Sequence, residues 1–240
     1  MKGRLSALTG IAIALMATGA VASEGGLPNP AADWDVLWNK VLWDLVVIGA
    51  IFGIAALIML FKYRATSPDQ VGRGPKLSRA QALAWALIPA TIFMADDFFM
   101  AAKGWTLWNT YRTVPENAME VKVTGSMWNW EFEYENGIIS TYDVDSKEGS
   151  GLVVPVGTPV VLRMESIDVI HSFGMATYRV KEDVMPGRIT YIWFNPVEAK
   201  ESWVTCVEFC GTRHSYMYAP VKAVPPAQYE AWVKKMESEA

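Results

Sequence analysis

The chain has 240 residues, 52% of them hydrophobic and only 19% charged, which is apolar for a purely water-soluble protein and leaves room for one domain plus a membrane part. Its net charge of −4 is uneven: from Pro115 onward there are 18 acidic and 11 basic residues, a balance of −7, against +3 for the first 114. An acidic C-terminal half argues against nucleic acid and for a cationic partner.

Residues 1–22 read as a secretory signal. Lys2 and Arg4 make the basic start, Leu8 to Met16 the apolar middle, and Ala20-Val21-Ala22 a small-x-small cleavage site. Cleavage there leaves residues 23–40 as an extracytoplasmic segment, with a loop at Pro28, Asn29 and Pro30. Residues 41–108 predict a two-helix transmembrane hairpin. Val41 to Phe61 is apolar except for Asp44, about 20 residues, enough to cross roughly 30 Å of hydrocarbon. Trp34, Trp38 and Trp43 gather at one end, as in an interfacial belt.

The linker from Ala65 to Arg79 carries Arg73, Lys76 and Arg79 against Asp69 alone, and Lys62 and Arg64 precede it. A basic turn of this kind stays on the cytoplasmic side. A second span follows from about Ala80 to Trp105, with Trp105 and Trp108 at its far end. The signal and the basic loop independently put the N-terminus and everything after Trp108 on the outer, periplasmic side of a bacterial-type cytoplasmic membrane. Asp96 and Asp97 fall inside the second span. Carboxylates there are costly, so they are expected to face a neighbouring subunit, a polar cavity or a proton path.

Residues 115–225 predict an all-β domain of short strands. Glu120 to Thr124 alternates, and Trp128, Trp130, Phe132 and Tyr134 put four rings at every second position. Period two places them on one face, with Asn129, Glu131 and Glu133 opposite. Asn136-Gly137 signals a turn. Further strands are expected over Ile138 to Val144, Leu152 to Val156, Pro159 to Ser166, Val169 to Tyr178, Arg188 to Phe194, Ser202 to Thr205 and Tyr218 to Val224. Spacing of this kind indicates a sandwich or barrel. Residues 226–240 close the chain as an amphipathic helix.

Both cysteines and one of the two histidines lie in Cys206-Val-Glu208-Phe-Cys210-Gly-Thr-Arg-His214-Ser-Tyr-Met217; the other histidine, His171, stands 35 positions before Cys206. Thiolate, imidazole and thioether are the donors that select copper. One Cys, two His and an axial Met make a mononuclear electron-transfer site. A second thiolate allows two sulfurs to bridge two coppers, with one His each and Met217 and a backbone carbonyl as weak outer ligands. Two other chemistries compete. Zinc takes Cys2His2 sets, although this spacing is unlike a zinc finger. A disulfide suits an oxidising compartment but would close a very small loop and leave both histidines unexplained.

The Cys–His–Met loop is preceded by Asp168-Val-Ile-His171-Ser, Val184-Met-Pro186-Gly187-Arg188 and Trp128-x-Trp130-x-Phe132-x-Tyr134. Together these motifs closely resemble subunit II of the haem–copper (cytochrome c) oxidases, from about Trp38 to the end. The resemblance implies an α+β membrane protein: the two-helix hairpin, then a cupredoxin-like Greek-key barrel with a binuclear copper A (CuA) centre. It implies bridging thiolates at Cys206 and Cys210, one copper each on His171 and His214, and axial ligation by Met217 and the Glu208 carbonyl. The Glu208 side chain would reach a magnesium ion shared with subunit I.

Trp128 matches the tryptophan that receives electrons from cytochrome c. Glu131, Glu133, Asp143, Asp145 and Asp168 would serve as docking acids, Asp168 alternatively as support for His171. Partners would be subunit I, which holds the haems, and subunit III. The chain does no bond chemistry itself but serves an enzyme that reduces O2 and pumps protons; a nitric oxide reductase of the same superfamily is the alternative. Departures from the family pattern are Ala82 where a glutamate is frequent, Asn109 at the end of the second span, Asn129 within the aromatic run, no proline after His171, and the pair Asp96–Asp97.

Overall fold

A computed structural model describes residues 28–72, 74 and 76–239. The signal segment, Arg73 of the basic linker and Ala240 lie outside the described residues.

Two long helices come first. Helix α1 spans Pro30–Lys62 and α2 spans Arg79–Arg112. Proline opens α1 because its missing N–H costs nothing in the first turn, and the Asn29 side chain accepts from the Ala32 N–H. The helix therefore begins well before the apolar run. Ser78 and Gln81 form a reciprocal capping box at the start of α2. Both helices are long and apolar enough to cross a membrane, and their apolar side chains point outward: Trp43, Phe52, Phe61, Trp85 and Phe98 are all exposed. Such a surface is stable against lipid or other membrane chains, not against water.

Polar contacts tie the pair together. Lys40 on α1 meets Asp96 on α2 at 2.7 Å and also pairs with Asp44. Asp96 thus takes its partner from its own chain, and Asp97 is exposed.

The rest is β. The strands are β1 (Met119–Ser126), β2 (Asn129–Tyr134), β3 (Ile139–Ser140), β4 (Tyr142–Asp143), β5 (Glu148–Gly149), β6 (Leu152–Pro155), β7 (Val160–Ser166), β8 (His171–Met175), β9 (Val180–Val184), β10 (Thr190–Phe194), β11 (Lys200–Cys206) and β12 (Tyr218–Val224). They form two five-stranded sheets, ordered β10-β7-β1-β2-β3 and β6-β12-β11-β8-β9, and a small β4-β5 ribbon. The sheets face each other, and the barrel is correspondingly flattened. Parallel pairing of β1 with β7 and of β12 with β6 mixes with antiparallel ladders, as long crossing connections require.

The core explains the alternation in the sequence. Trp130, Phe132 and Tyr134 of β2 are buried. Trp130 and Phe132 meet Phe173 of the other sheet edge-on, at 5.0 and 6.3 Å between centroids. The Tyr134 hydroxyl donates to the Val153 carbonyl and accepts from the Val153 N–H, so it crosses the sandwich without an unpaired polar atom. Helix α3 (Pro226–Glu239) covers one end, with Trp232 against Tyr134.

Three expectations shift. Trp128 is not on β2: Ser126 pairs with Asn129, so Met127 and Trp128 form the two-residue turn of the β1–β2 hairpin. The strand expected over Ile138 to Val144 divides into β3 and β4. Strand β9 carries Lys181, Glu182 and Asp183 and shows no apolar run, but a strand at a sheet edge needs only one face covered.

Hairpin and sandwich are joined at the helix ends. The Trp193 indole donates to the Thr110 carbonyl at 3.0 Å, and the Tyr191 hydroxyl donates to the Arg112 carbonyl at 3.2 Å, satisfying carbonyls in the last turn of α2. Arg112 pairs with Glu182. Arg179 pairs with Asp35 and stacks over Trp34 of α1.

Candidate metal centre

The site forms where β11 ends. Cys206 is the last residue of that strand, and the chain then loops over the end of the sandwich through Cys210 and a short 3-10 turn, His214–Tyr216, to Met217. The Cys206 N–H donates to the Met217 carbonyl at 2.9 Å, which closes the base of the loop. His171 arrives from β8, the neighbour of β11, where Cys206 stands opposite Phe173. Sheet pairing thus cancels the 35-residue separation.

The two sulfurs are unbonded thiols 3.7 Å apart. The His171 Nδ1 lies 3.9 Å from the Cys206 sulfur, and the His214 Nδ1 lies 3.5 Å from the Cys210 sulfur. Met217 Sδ is 3.8 Å from the Cys210 sulfur, and the Glu208 carbonyl oxygen is 3.2 Å from the Cys206 sulfur. Four donor atoms therefore surround one sulfur pair, with one imidazole, and one weak donor, on each side. The ligating atoms of His171, Cys206 and Cys210 all lie within 4.8 Å of one another. His171 is fully buried and Met217 is 1% exposed, so water is kept from the inner side, whereas the Glu208 side chain is exposed.

The electrostatics suit a cation. Burial raises the Cys206 thiol, but hydrogen bonds with His171 and the loop backbone outweigh it and bring it down to about 6. Burial and the adjacent Cys206 sulfur push Cys210 up to about 12. One pair of thiols holding a shared proton is what two close sulfurs do until a metal takes the place of that proton. The donor set fits copper: two thiolates, two imidazoles, a thioether and a carbonyl.

Asp168 accepts from the His171 Nε2–H at 2.8 Å, which fixes the ring with Nδ1 towards Cys206. Partial burial raises the Asp168 carboxyl. Hydrogen bonds from the Met127 N–H, His171 and the Val169 N–H more than offset that and hold it below the usual carboxylate range.

Trp128 joins the site from the β1–β2 turn. Its indole N–H donates to the Cys210 carbonyl at 3.2 Å, and its ring lies over Gly211, where an added Cβ would meet it at 3.4 Å. Sequence reading misses two contributors. Trp130 stands edge-on to His171, 5.8 Å between centroids. Gly125 makes room for both: a Cβ there would meet the Trp130 ring at 3.0 Å and the His171 ring at 3.3 Å. The available signal is a glycine inside an alternating strand, which marks a close approach.

The expected docking acids are engaged in different ways. Asp145 makes a bidentate pair with Arg213 at 2.7 Å, beside His214. Asp143 caps the turn at Asp145 and Ser146. Glu133 pairs with Lys122 at 3.1 Å. Glu131 stands on the outer face of β2 with no ion-pair partner among the described residues.

The family described as cytochrome C oxidase subunit II, periplasmic domain, matches residues 119–224. The alternative cytochrome c oxidase subunit 2 of Bradyrhizobium diazoefficiens is 27% identical over 234 residues, covering 87% of this chain and 83% of that protein. Cytochrome c oxidase subunit 2 of Cereibacter sphaeroides is 29% identical over 228 residues, covering 80% of this chain and 73% of that one. The crystal structure of the periplasmic domain of subunit II of cytochrome oxidase of Bradyrhizobium japonicum is 26% identical, covers 53% of this chain and 99% of that one, and has a TM-score of 0.49. Both sequence alignments extend beyond the β domain, and the resemblance carried by the motifs holds. The β domain of this chain, residues 119–224, belongs to the cytochrome c oxidase subunit II family.

Proposed function

We propose that this chain is the electron-input subunit of a respiratory haem–copper terminal oxidase. Its outer domain would hold a binuclear CuA centre, receive electrons from cytochrome c through Trp128, and deliver them to haem in subunit I for O2 reduction coupled to proton pumping. The observation that carries this reading is the pair of unbonded sulfurs flanked by one imidazole Nδ1 on each side, 3.9 and 3.5 Å away. A zinc finger does not need paired weak donors, and a disulfide needs no imidazole.

Cys206, Cys210, His171, His214, Met217 and the Glu208 carbonyl would hold the metal. When bound, copper supplies one-electron exchange with little change of geometry. The chain's own part is to fix the donors beforehand. Asp168 orients His171, the Cys206–Met217 backbone bond closes the loop, and the buried Met217 excludes water. Donors held in place leave little to rearrange when charge arrives. The exposed Glu208 side chain supports contact with a partner, where a hydrated magnesium shared with subunit I would sit. The outward apolar surface of the hairpin supports assembly with subunits I and III within the membrane. The basic linker supports an outer position for both the N-terminus and the β domain.

The test is the metal content and spectrum of the full chain purified in its complex. Two coppers per chain and a mixed-valence resonance with seven hyperfine lines are expected. One copper, or tightly held zinc with no such resonance, overturns the assignment. Trp128→Phe should leave that resonance intact while slowing reduction by cytochrome c; an unchanged rate removes Trp128 from the input role.

A further inference from the structure

The two imidazoles of the site are supported unequally. His171 is fully buried and meets a carboxylate at its Nε2. His214 is only partly buried; its Nδ1 faces Cys210, and its Nε2 has no hydrogen-bond partner among the described residues. It also stands on a three-residue 3-10 turn, whose hydrogen bonds are poorer than those of an α-helix. Its placement therefore depends on what holds the residues beside it.

Arg213, the residue before it, reaches across to the β4–β5 ribbon. The Arg213 Nη2 donates to both oxygens of Asp145, each at 2.7 Å. The guanidinium also lies over the ring of Tyr216, in the same short turn as His214, at 5.6 Å from the centroid. Asp145 is itself held. It lies in the tip between the paired residues Asp143 and Glu148, and the Asp143 side chain accepts from the N–H groups of Asp145 and Ser146 at 2.8 and 3.1 Å. At the foot of the ribbon, Tyr142 packs against Trp203 and Tyr218, at 6.1 and 6.4 Å between centroids. Trp203 precedes Cys206 by three positions, and Tyr218 follows Met217 directly. The ribbon therefore touches both stems of the metal loop through aromatic rings, and the middle of the loop through one ion pair.

We propose that Arg213 and Asp145 are positioning residues for the metal centre: their pair clamps the β4–β5 ribbon onto the loop and fixes His214 as a ligand. This deepens the two-copper reading and rests on it. An exposed ion pair adds little to the stability of a whole fold. One that ties a short turn to a second element acts instead on local geometry, through charge-assisted hydrogen bonds. Asp145 is then no free docking acid, because Arg213 already meets its charge.

The test is a double-mutant cycle in the full chain within its complex: Asp145→Ala, Arg213→Ala and the two combined. The readouts are the copper resonance, the rate at which a copper chelator strips the centre, and the rate of thiol alkylation once copper is gone. Each single variant should alter the hyperfine pattern and release copper about tenfold faster, the lower end of what losing an outer support costs a metal site. The double variant should match the singles, because the pair acts as one unit. The melting temperature should hardly move. Without copper, the two thiols, 7% and 3% exposed in the clamped loop, should alkylate faster in every variant than in wild type.

The proposal is overturned if resonance and copper release stay at wild type, or if the two single effects multiply in the double variant. It is equally overturned if only reduction by cytochrome c changes, slower in Asp145→Ala and faster in Arg213→Ala at low salt, which is how two independent surface charges act on a cationic donor. A lower melting temperature with a wild-type resonance makes the pair a fold contact alone, and overturns it too. Should Arg213→Ala fail to assemble, Asp145→Ala decides through resonance and copper release. A wild-type chain without the two-copper resonance sinks the metal reading instead, and the alkylation rates then test the clamp by themselves.

Discussion

The helical hairpin and the β sandwich solve opposite problems. Of all residues in α1 and α2, only Pro30 is buried, and Leu60, Phe61, Trp85 and Phe98 are more than half exposed. The sandwich keeps Trp130, Phe132, Leu162, Phe173 and Phe194 at 2% exposure or less. The hairpin relies on what surrounds it, and within the chain it is held by a few polar clamps. The sandwich relies on itself, which is why a site requiring sub-ångström placement is found there. Lipid and neighbouring subunits can shift a helix pair, but a close-packed core resists such movement.

This contrast can be broken, starting with the largest effect. Cys210→Ser should abolish two-copper binding in the assembled chain while the core stays folded, as read by metal analysis beside near-ultraviolet circular dichroism. Loss of the aromatic dichroism as well would mean that the loop, not the core, holds the sandwich together. Phe173→Ala should cost about 3–5 kcal/mol of sandwich stability, because it leaves a cavity between Trp130 and Phe132 and next to Cys206. Denaturant unfolding followed by tryptophan fluorescence checks this, and a cost below about 1 kcal/mol would show a core that collapses freely.

Smaller effects belong to the hairpin and its joint. Lys40→Ala removes the partner of Asp44 and Asp96, and should lower the melting temperature of the assembled complex with the copper resonance unchanged. The expected cost is about 1–2 kcal/mol, between an exposed pair and a buried one. A changed resonance would couple the hairpin to the site. Arg179→Ala cuts the pair with Asp35 and the stack on Trp34, and should cost about 1 kcal/mol or less, visible as faster proteolysis at the junction. No change would mean that the Trp193 and Tyr191 bonds to the end of α2 carry the joint.

Much of this was legible beforehand for local reasons. Aromatic residues at period two announced β2, and a 20-residue apolar run announced α1. Strand β9 was not, because three charged residues in a row can sit on a sheet edge without any periodic signature. Trp128 was read onto the strand because alternation continues through it; only the Ser126–Asn129 pairing shows that the hairpin turns there. The resemblance left Asp168 two possible roles, and its bond from the Met127 N–H was invisible because Met127 lies 41 positions away.

What the chain order alone determined was the inventory: two apolar spans, a β domain, and a loop holding both cysteines and one of the two histidines. Those follow from hydrophobic periodicity and side-chain chemistry, which act over neighbouring residues. Tertiary structure decided which donors meet. Pairing of β8 with β11 brings His171 beside Cys206, and the β1–β2 turn carries Trp128 onto Gly211 and Met127 onto Asp168. Contacts between residues 35 to 82 positions apart depend on strand register, and register is settled by how the whole core packs.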